Sequence, residues 1–125
     1  MEQHEVIADS LGRGRGVLHR ALDGMSDEAL AYRPAEHMNP IGWLAWHIAR
    51  VEDMHVADLL DEGQLWTDGD WHERFNMPPD ARDFGTRQTL DQVNAVNSPS
   101  AELLLEYYGA VAARTDEYLN TLTAK

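Results

Sequence analysis

The sequence contains no cysteine, so the chain can encode no disulfide, thiolate metal site or cysteine nucleophile. Any thiol chemistry would therefore need a thiol cofactor, and the composition is compatible with a reducing compartment. No apolar run approaches the ~20 residues that a membrane span requires, and Glu2 and Glu5 occupy a region that is basic in signal peptides. We therefore expect a soluble, cytoplasmic protein that has no membrane partner.

Basic residues are scarce in this chain. Ten Lys and Arg stand against 22 Asp and Glu, which gives a formal net charge of −12. Such a charge repels phosphates and weakens any long-range attraction to nucleic acid. The glycine–arginine run from Gly12 to Gly16 is similar to an RNA-binding tract or a phosphate loop, but it has neither a repeated array nor a preceding strand. We therefore expect no nucleic-acid partner and attribute these glycines to close contact with another helix.

Strand-like alternation is also absent, and apolar residues recur instead at intervals of three and four. This spacing predicts a first helix from about Gln3 to Asp23, ended by Gly24. Ser26 is a suitable cap for a short helix that extends to about Tyr32. The apolar positions that define the first helix are Ile7, Leu11, Gly14, Leu18, Ala21, Leu22 and Met25.

A second long helix is predicted from Asn39 to Leu60. Asn39 can cap its first turn, and Pro40 suits the first helical position because the missing N–H of proline would have no partner there. One side of this helix carries regularly spaced apolar residues, and the other side is largely charged. The expected core face comprises Ile41, Leu44, Ile48, Val51 and Leu59, and the expected solvent face comprises Arg50, Glu52, Asp53, Asp58 and Asp61.

A long connection follows, from Gln64 to Asn97, with a candidate short helix from Thr86 to Ala95. We expect its aromatic residues to cover an end of the molecule, and the alternative is a lid over a small-molecule pocket. Ser98 and Pro99 predict the start of the last helix. The apolar stripe of that helix comprises Leu104, Tyr107, Val111, Thr115, Tyr118 and Leu122.

These elements predict one all-α domain over residues 1–125, built as a helical bundle around three long helices. A chain of 125 residues is large enough for a hydrophobic core without disulfides or a structural metal. Each long helix carries an apolar stripe that must pack against another helix. The sequence alone therefore establishes a fold class but no activity.

His47 is the residue from which any chemistry would begin. It lies four residues after Trp43 and four before Val51, along one stripe of the second long helix. An imidazole there is either a core histidine hydrogen-bonded to a backbone carbonyl or one ligand of a metal that other helices complete. The spacing alone favours the first reading, because a single histidine offers no ligand pattern. His55 lies about 12 Å farther along the helix and about 80° around it, so these two histidines cannot share one ion.

The run from Asn39 to Asp53 resembles the second helix of the DinB-like superfamily, which includes the N-terminal domain of mycothiol-dependent maleylpyruvate isomerase. Leu22 to Leu30, followed by Arg33 and Pro34, resembles that superfamily's link between its first two helices. The resemblance implies a four-helix bundle in which His47 is one of three ligands to a divalent metal, usually zinc or nickel.

In that superfamily the other two ligands usually come from a fourth helix, as a pair of His or Glu residues four apart. We assign no such pair of His or Glu residues after His72, and no histidine follows that position. The chain therefore has three recognisable long helices, with the fourth missing. Two alternatives remain: the sequence is a fragment, or this member has lost the site.

Two main functional hypotheses follow from the resemblance and its gaps. The first is a metal-dependent transferase or isomerase that acts on a small molecule with a low-molecular-weight thiol of the mycothiol type. The second is a metal-free helical module that binds a small ligand or a protein through Trp43, Trp46 and the aromatic connection. A catalytically silent structural protein is a third. The missing helix should leave an apolar groove, which we expect a second copy to fill as a homodimer.

Overall fold

The computed structural model describes residues 2–86, 88–96 and 100–122. Within these ranges the regular structure is entirely helical, which confirms the all-α prediction and the three long helices. The helices of the described residues are α1 (Gln3–Leu22), α2 (Asp27–Ala31), α3 (Ile41–Leu60), α4 (Leu65–Asp68), α5 (Trp71–Arg74), α6 (Leu90–Ala95) and α7 (Ala101–Asn120).

The boundaries of α1 and α2 follow the predicted signals. Glu2 and Glu5 form a capping box at the start of α1. Gly24 has a φ of 76°, in the left-handed region that favours glycine, and it turns the chain after α1. The Ser26 hydroxyl accepts a hydrogen bond from the backbone N–H of Ala29 at 3.1 Å, as expected of the cap of α2.

The glycines inside α1 do not mediate close helix packing, and this expectation was wrong. A Cβ built at Gly12 or Gly14 would meet no atom within 4 Å, and one at Gly16 would approach only the mobile end of Arg20. Gly12 and Gly14 face solvent. The helix therefore carries them at a cost of up to ~1 kcal/mol each relative to alanine, without compensating contacts.

The last long helix, α7, is central to the bundle because it packs against both α3 and α1, while α2 packs against α3. Its cap is Ser100, whose hydroxyl accepts from the N–H of Leu103 at 3.1 Å, whereas the predicted start at Ser98 and Pro99 lies outside the described residues. The predicted stripe is largely confirmed, although Leu122 is exposed and Leu119 is buried in its place. The buried residues of α7 are Ala101, Leu104, Tyr107, Val111, Thr115 and Leu119.

The aromatic connection between α3 and α7 contributes to the core. Trp66 and Phe75 are each 1% exposed. The ring centroid of Trp66 lies 6.1 Å from that of Trp46, 5.3 Å from that of Phe75 and 5.5 Å from that of Tyr107. These rings therefore fill the bundle instead of forming a lid. The short helix expected at 86–95 is α6, which begins only after the capping residue Thr89.

Part of the face of α3 that we expected to meet solvent packs against the core instead. The aliphatic residues assigned to the core, Ile41, Leu44, Ile48 and Leu59, are between 42% and 64% exposed. Arg50 and Asp53, which were assigned to solvent, are 0% and 1% exposed. The predicted orientation of α3 was therefore wrong at these positions, whereas Asp58 and Asp61 are exposed as expected.

The reason lies in the composition of the buried face of α3. It combines small residues, which let neighbouring elements approach closely, with two large rings that fill the remaining space. Because both sides of α3 carry apolar residues, periodicity could not tell which side packs. The start was also misassigned, since Pro40 and not Asn39 is the N-cap and no side chain caps the first turn. The buried apolar residues of α3 are Gly42, Trp43, Ala45, Trp46, Ala49, Val56 and Ala57.

Candidate functional site

His47 lies on α3 with its ring partly exposed and stacked on Trp43, with centroids 4.9 Å apart and ring planes at 15°. Its Nδ1 is hydrogen-bonded to the carbonyl oxygen of Phe84 in the connection. Because a carbonyl can only accept, Nδ1 carries the hydrogen, and the neutral ring keeps an unprotonated Nε2. The two interpretations of His47 are therefore compatible. The ring is hydrogen-bonded to a backbone carbonyl through Nδ1, and Nε2 keeps a lone pair that could bind a metal.

Gly85 allows the backbone at Phe84 to reach the ring of His47. Its φ is 97°, a conformation that side-chain-bearing residues rarely adopt. A Cβ at this position would lie 2.8 Å from Cζ2 of Trp43 and 2.9 Å from Nδ1 of His47. Both the backbone conformation and the available space therefore require glycine here.

Trp43 is held by a relay of hydrogen bonds to the same connection. Its Nε1 donates to Oε1 of Gln88 at 2.9 Å, and Nε2 of Gln88 donates to Oδ1 of Asp83 at 2.7 Å. Trp43 is 6% exposed, so its indole N–H would otherwise be desolvated without a partner. The ring on which His47 stacks is thereby fixed in position.

Six residues after His47 on α3, Asp53 forms a buried hub. Its carboxylate accepts from the backbone N–H groups of Leu65 and Trp66, each at 2.9 Å, and from the hydroxyl of Tyr107 at 2.7 Å. Nη1 of Arg50 lies 3.6 Å from the same carboxylate. Burial raises the pKa of the Tyr107 hydroxyl, and the Asp53 charge raises it further. Asp53 therefore ties α4 and α7 to α3 and is not available as a base.

The sequence contained a signal for this pair that the hydrophobic pattern concealed. Arg50 and Asp53 are opposite charges three residues apart, which places them on one face of a helix. They are flanked on that face by Trp46, Ala49 and Val56 rather than by other charges. An oppositely charged pair inside an apolar stripe indicates a buried ion pair, since an isolated charge would be too costly to bury.

A second polar cluster lies where the three long helices meet. Oε2 of Glu52 accepts from Thr115 at 2.8 Å and from Nη2 of Arg15 at 3.4 Å, and Nη1 of Arg15 donates to Asp116 at 2.8 Å. Burial raises the pKa of the nearby Tyr108, and the Glu52 charge adds to that shift. Glu52, expected to face solvent, is instead paired between helices.

The described residues do not form a complete metal site. No group of three His, Cys, Asp or Glu within those ranges is placed to hold an ion. His55 is exposed and its Nδ1 is hydrogen-bonded to the Val51 carbonyl of its own helix at 2.8 Å. Among the described residues, the imidazole of His47 is suited to bind a metal, but no second and third ligand lie beside it. The site therefore does not match the three-ligand set that the resemblance implies.

Glu102 and Glu106 on α7 are four residues apart, a spacing suited to a ligand pair that the sequence reasoning passed over. Both line a surface cleft with His19 and Leu22 at the end of α1, and Glu106 is ion-paired with Arg74. They do not form a ligand group with His47. Glu102 and Glu106 therefore do not supply the ligand pair that the resemblance implies.

An open cleft of about 620 Å³ lies beside the His47 segment. Its lining includes Gly85, which lies against His47, and Gln88, which holds Trp43. Most of the other lining side chains are polar, so the cleft suits a hydrated small molecule better than an apolar one. The described residues that line it are Asn76, Met77, Pro78, Asp80, Arg82, Asp83, Gly85, Thr86, Gln88 and Gln92.

Comparison with known proteins supports the fold and the resemblance. A family model described as the DinB superfamily matches residues 10–125. The crystal structure of a conserved protein from Enterococcus faecalis is similar with a TM-score of 0.87 and 26% sequence identity, over 98% of this chain and 72% of that chain. A search of curated proteins gave no match. Among the described residues no helix is both long and apolar enough to cross a membrane.

Proposed function

The chain belongs to the DinB superfamily, and from that membership we propose that its function depends on a divalent metal, zinc or nickel, to which His47 contributes one ligand. The observation that carries the proposal is the bond between Nδ1 of His47 and the Phe84 carbonyl. Histidines that bind metals usually donate their other ring N–H to a carbonyl or carboxylate, which fixes the tautomer and orients the ring. His47 has this arrangement, and its unprotonated Nε2 is the nitrogen that would bind.

None of the other described His, Asp or Glu groups joins His47, so among the described residues His47 is the one protein ligand that the proposal names. Stacking on Trp43 supports the proposal, since it restricts the ring to one plane before any ion binds. A preoriented ligand loses less conformational freedom on binding. His47 would thus be a ligand whose orientation is set before an ion binds.

The finer proposal is a transferase or isomerase that uses a low-molecular-weight thiol of the mycothiol type. Two facts support it: the chain has no cysteine of its own, and its second long helix resembles that of the thiol-dependent isomerase family. Incubation of the metal-loaded protein with a small thiol and the electrophile monochlorobimane tests this step. Metal-dependent acceleration of conjugation supports it, and a rate equal to that without protein contradicts it.

A metal-free binding module is the second candidate. Trp43 and Trp46 are 6% and 0% exposed, so neither offers the contact surface that this hypothesis assigned to them. What supports the candidate now is the polar cleft of about 620 Å³ beside Gln88. It predicts binding of a small polar molecule that is independent of metal and insensitive to substitution of His47.

Equilibrium dialysis of Zn²⁺ and Ni²⁺ against purified wild type, His47→Ala and His55→Ala distinguishes these candidates. His55 is a matched control because it lies on the same helix and also has Nδ1 bonded to a backbone carbonyl. Under the metal proposal, His47→Ala loses the tightest site and His55→Ala keeps it. Equal loss in both variants, or none in either, contradicts the assignment of His47.

A further inference from the structure

The side chain of Arg50 binds three carbonyl groups of the connection. Nε donates to the carbonyl of Asp83 at 2.9 Å, and Nη2 lies 3.4 Å from the carbonyls of both Asp80 and Ala81. The side chain is completely buried. Asp80 and Ala81 are exposed and Asp83 is half-buried, yet the carbonyls of all three reach this one guanidinium. The Asp80 carbonyl also accepts from the N–H of Asp83 at 3.2 Å.

Asp53 and Trp66 hold this guanidinium in place. Asp53 provides the compensating charge at 3.6 Å, and the ring of Trp66 lies 4.9 Å from the guanidinium carbon. Gln64 reinforces the same segment, because its Nε2 donates to the carbonyl of Ala81 at 2.9 Å. Arg50 is therefore a rigid attachment point for residues 80–83.

The carbonyl that orients His47 comes directly after this attachment. Asp83 is bonded to Arg50, and the next residue, Phe84, presents its carbonyl to Nδ1 of His47. On α3, His47 and Arg50 are three residues apart, so both lie on neighbouring positions of one turn. A single turn of helix thus holds two consecutive carbonyls of the connection, and Gly85 lets the chain pass close to the ring.

We infer that Arg50 is a positioning residue for His47: by holding the carbonyls of Asp80, Ala81 and Asp83, it fixes the Phe84 carbonyl that keeps the hydrogen of His47 on Nδ1 and leaves Nε2 unprotonated. The link between Arg50 and the tautomer of His47 stands on the hydrogen bonds alone. Its consequence for metal binding rests on the proposed function.

The tautomer of His47 can be measured directly in metal-free protein. Long-range ¹H–¹⁵N spectra of ¹⁵N-histidine-labelled protein at about pH 8, in mildly alkaline solution that favours the neutral imidazole, distinguish Nδ1–H from Nε2–H. His55 serves as an internal reference, because its carbonyl partner, Val51, belongs to its own helix. The variants are Arg50→Lys, which keeps the charge but loses the planar fork, and the charge-neutral double substitution Arg50→Gln with Asp53→Asn.

In the wild type we expect an Nδ1–H signal for His47. In either variant that folds we expect His47 to shift towards a mixture of tautomers while His55 is unchanged. A His47 that stays entirely in the Nδ1–H form, although the amide signals of Phe84 and Gly85 move, overturns the inference, because Arg50 would then hold the connection but not the ring. A wild-type His47 protonated on Nε2 overturns it as well.

Metal affinity gives a separate measurement that distinguishes this inference from the proposed function. If both hold, Zn²⁺ affinity falls about 10–100-fold in Arg50→Lys, as is usual when the partner that orients a ligand is lost. If the tautomer of His47 shifts in the variant but neither protein binds metal, the positioning role stands and the proposed function fails. If metal binding is unchanged despite a mixed tautomer, positioning has no functional consequence.

Discussion

Arg50 and Asp53 form an ion pair at 3.6 Å in which neither side chain has any exposed surface. The pair joins four parts of the chain: α3 itself, the start of α4, the Tyr107 position of α7, and the segment at residues 80–83. Its role is to fix the position of the connection on the bundle. The orientation of His47 follows from that position.

Removal of the Asp53 carboxylate should strongly destabilise the protein. Asp53→Ala leaves Arg50 as a buried charge without a counter-ion and removes the acceptor for two N–H groups at the start of α4. We expect a loss of about 3–5 kcal/mol in the free energy of unfolding, measured by urea denaturation. Asp58→Ala, at an exposed position on the same helix, should change stability by less than about 0.5 kcal/mol. Similar losses in both variants would contradict the role of Asp53 as a buried counter-ion and hydrogen-bond acceptor.

Alanine should have opposite effects at two glycines. At Gly85 it imposes a positive φ on a side-chain-bearing residue and places Cβ 2.8 Å from Trp43, so we expect a loss of about 1–3 kcal/mol or more. At Gly14, which is helical and has open space around it, alanine should stabilise the protein by about 0.5–1 kcal/mol. Thermal or urea unfolding measures both. Stabilisation by Gly85→Ala would show that the connection does not approach α3 as described.

Stability should fall in alkaline solution because of Tyr107. Burial, followed by the Asp53 charge, raises the pKa of its hydroxyl above the usual value of about 10. Above about pH 10 the unfolded chain releases a proton that the folded state retains, so the stability from this group is complete below pH 10 and is lost as pH rises towards the folded-state pKa. Urea denaturation between about pH 8 and 11 should show a steeper decline for wild type than for Tyr107→Phe. Tyr32→Phe, at an exposed position, should decline as wild type does.

The exposed aliphatic stripe on α3 is the surface through which we expect two copies of the chain to form a homodimer. Ile41, Leu44 and Ile48 are each more than 40% exposed, and a second copy covering them would remove this area from water. On that expectation, sedimentation at micromolar concentration gives a dimer for wild type and a monomer for Ile48→Glu, with little change in monomer stability. A monomeric wild type would contradict it.

The sequence predicted the parts of the fold that depend on local chemistry. Gly24 after α1, Ser26 before α2 and the buried stripe around Tyr107 could be read because caps, glycine turns and a single apolar face leave local patterns. The orientation of α3 could not be read in this way. Both its faces are apolar, and the packed face is chosen by long-range hydrogen bonds of Arg50 and Asp53 to residues 12 to 57 positions away.

For the candidate site, too, the sequence predicted one residue but not the long-range contacts that position it. The resemblance singled out His47, but its Phe84 partner is 37 residues away in an irregular segment, where no periodicity indicates contact. Gly85 is likewise one glycine among nine in the sequence, and its need for a positive φ depends on the packing of Trp43. Pairing across such distances is set by the assembled bundle.

The central claim is that His47 presents Nε2 to a divalent metal. The most direct test is elemental analysis of the purified wild-type protein beside His47→Ala, after both have been equilibrated with zinc and with nickel and freed of unbound metal. We predict stoichiometric zinc or nickel in the wild type and a loss of most of it in the variant, whose metal-free form should unfold at nearly the wild-type urea concentration. Equal metal contents in the two proteins, or none in the wild type, would contradict the account.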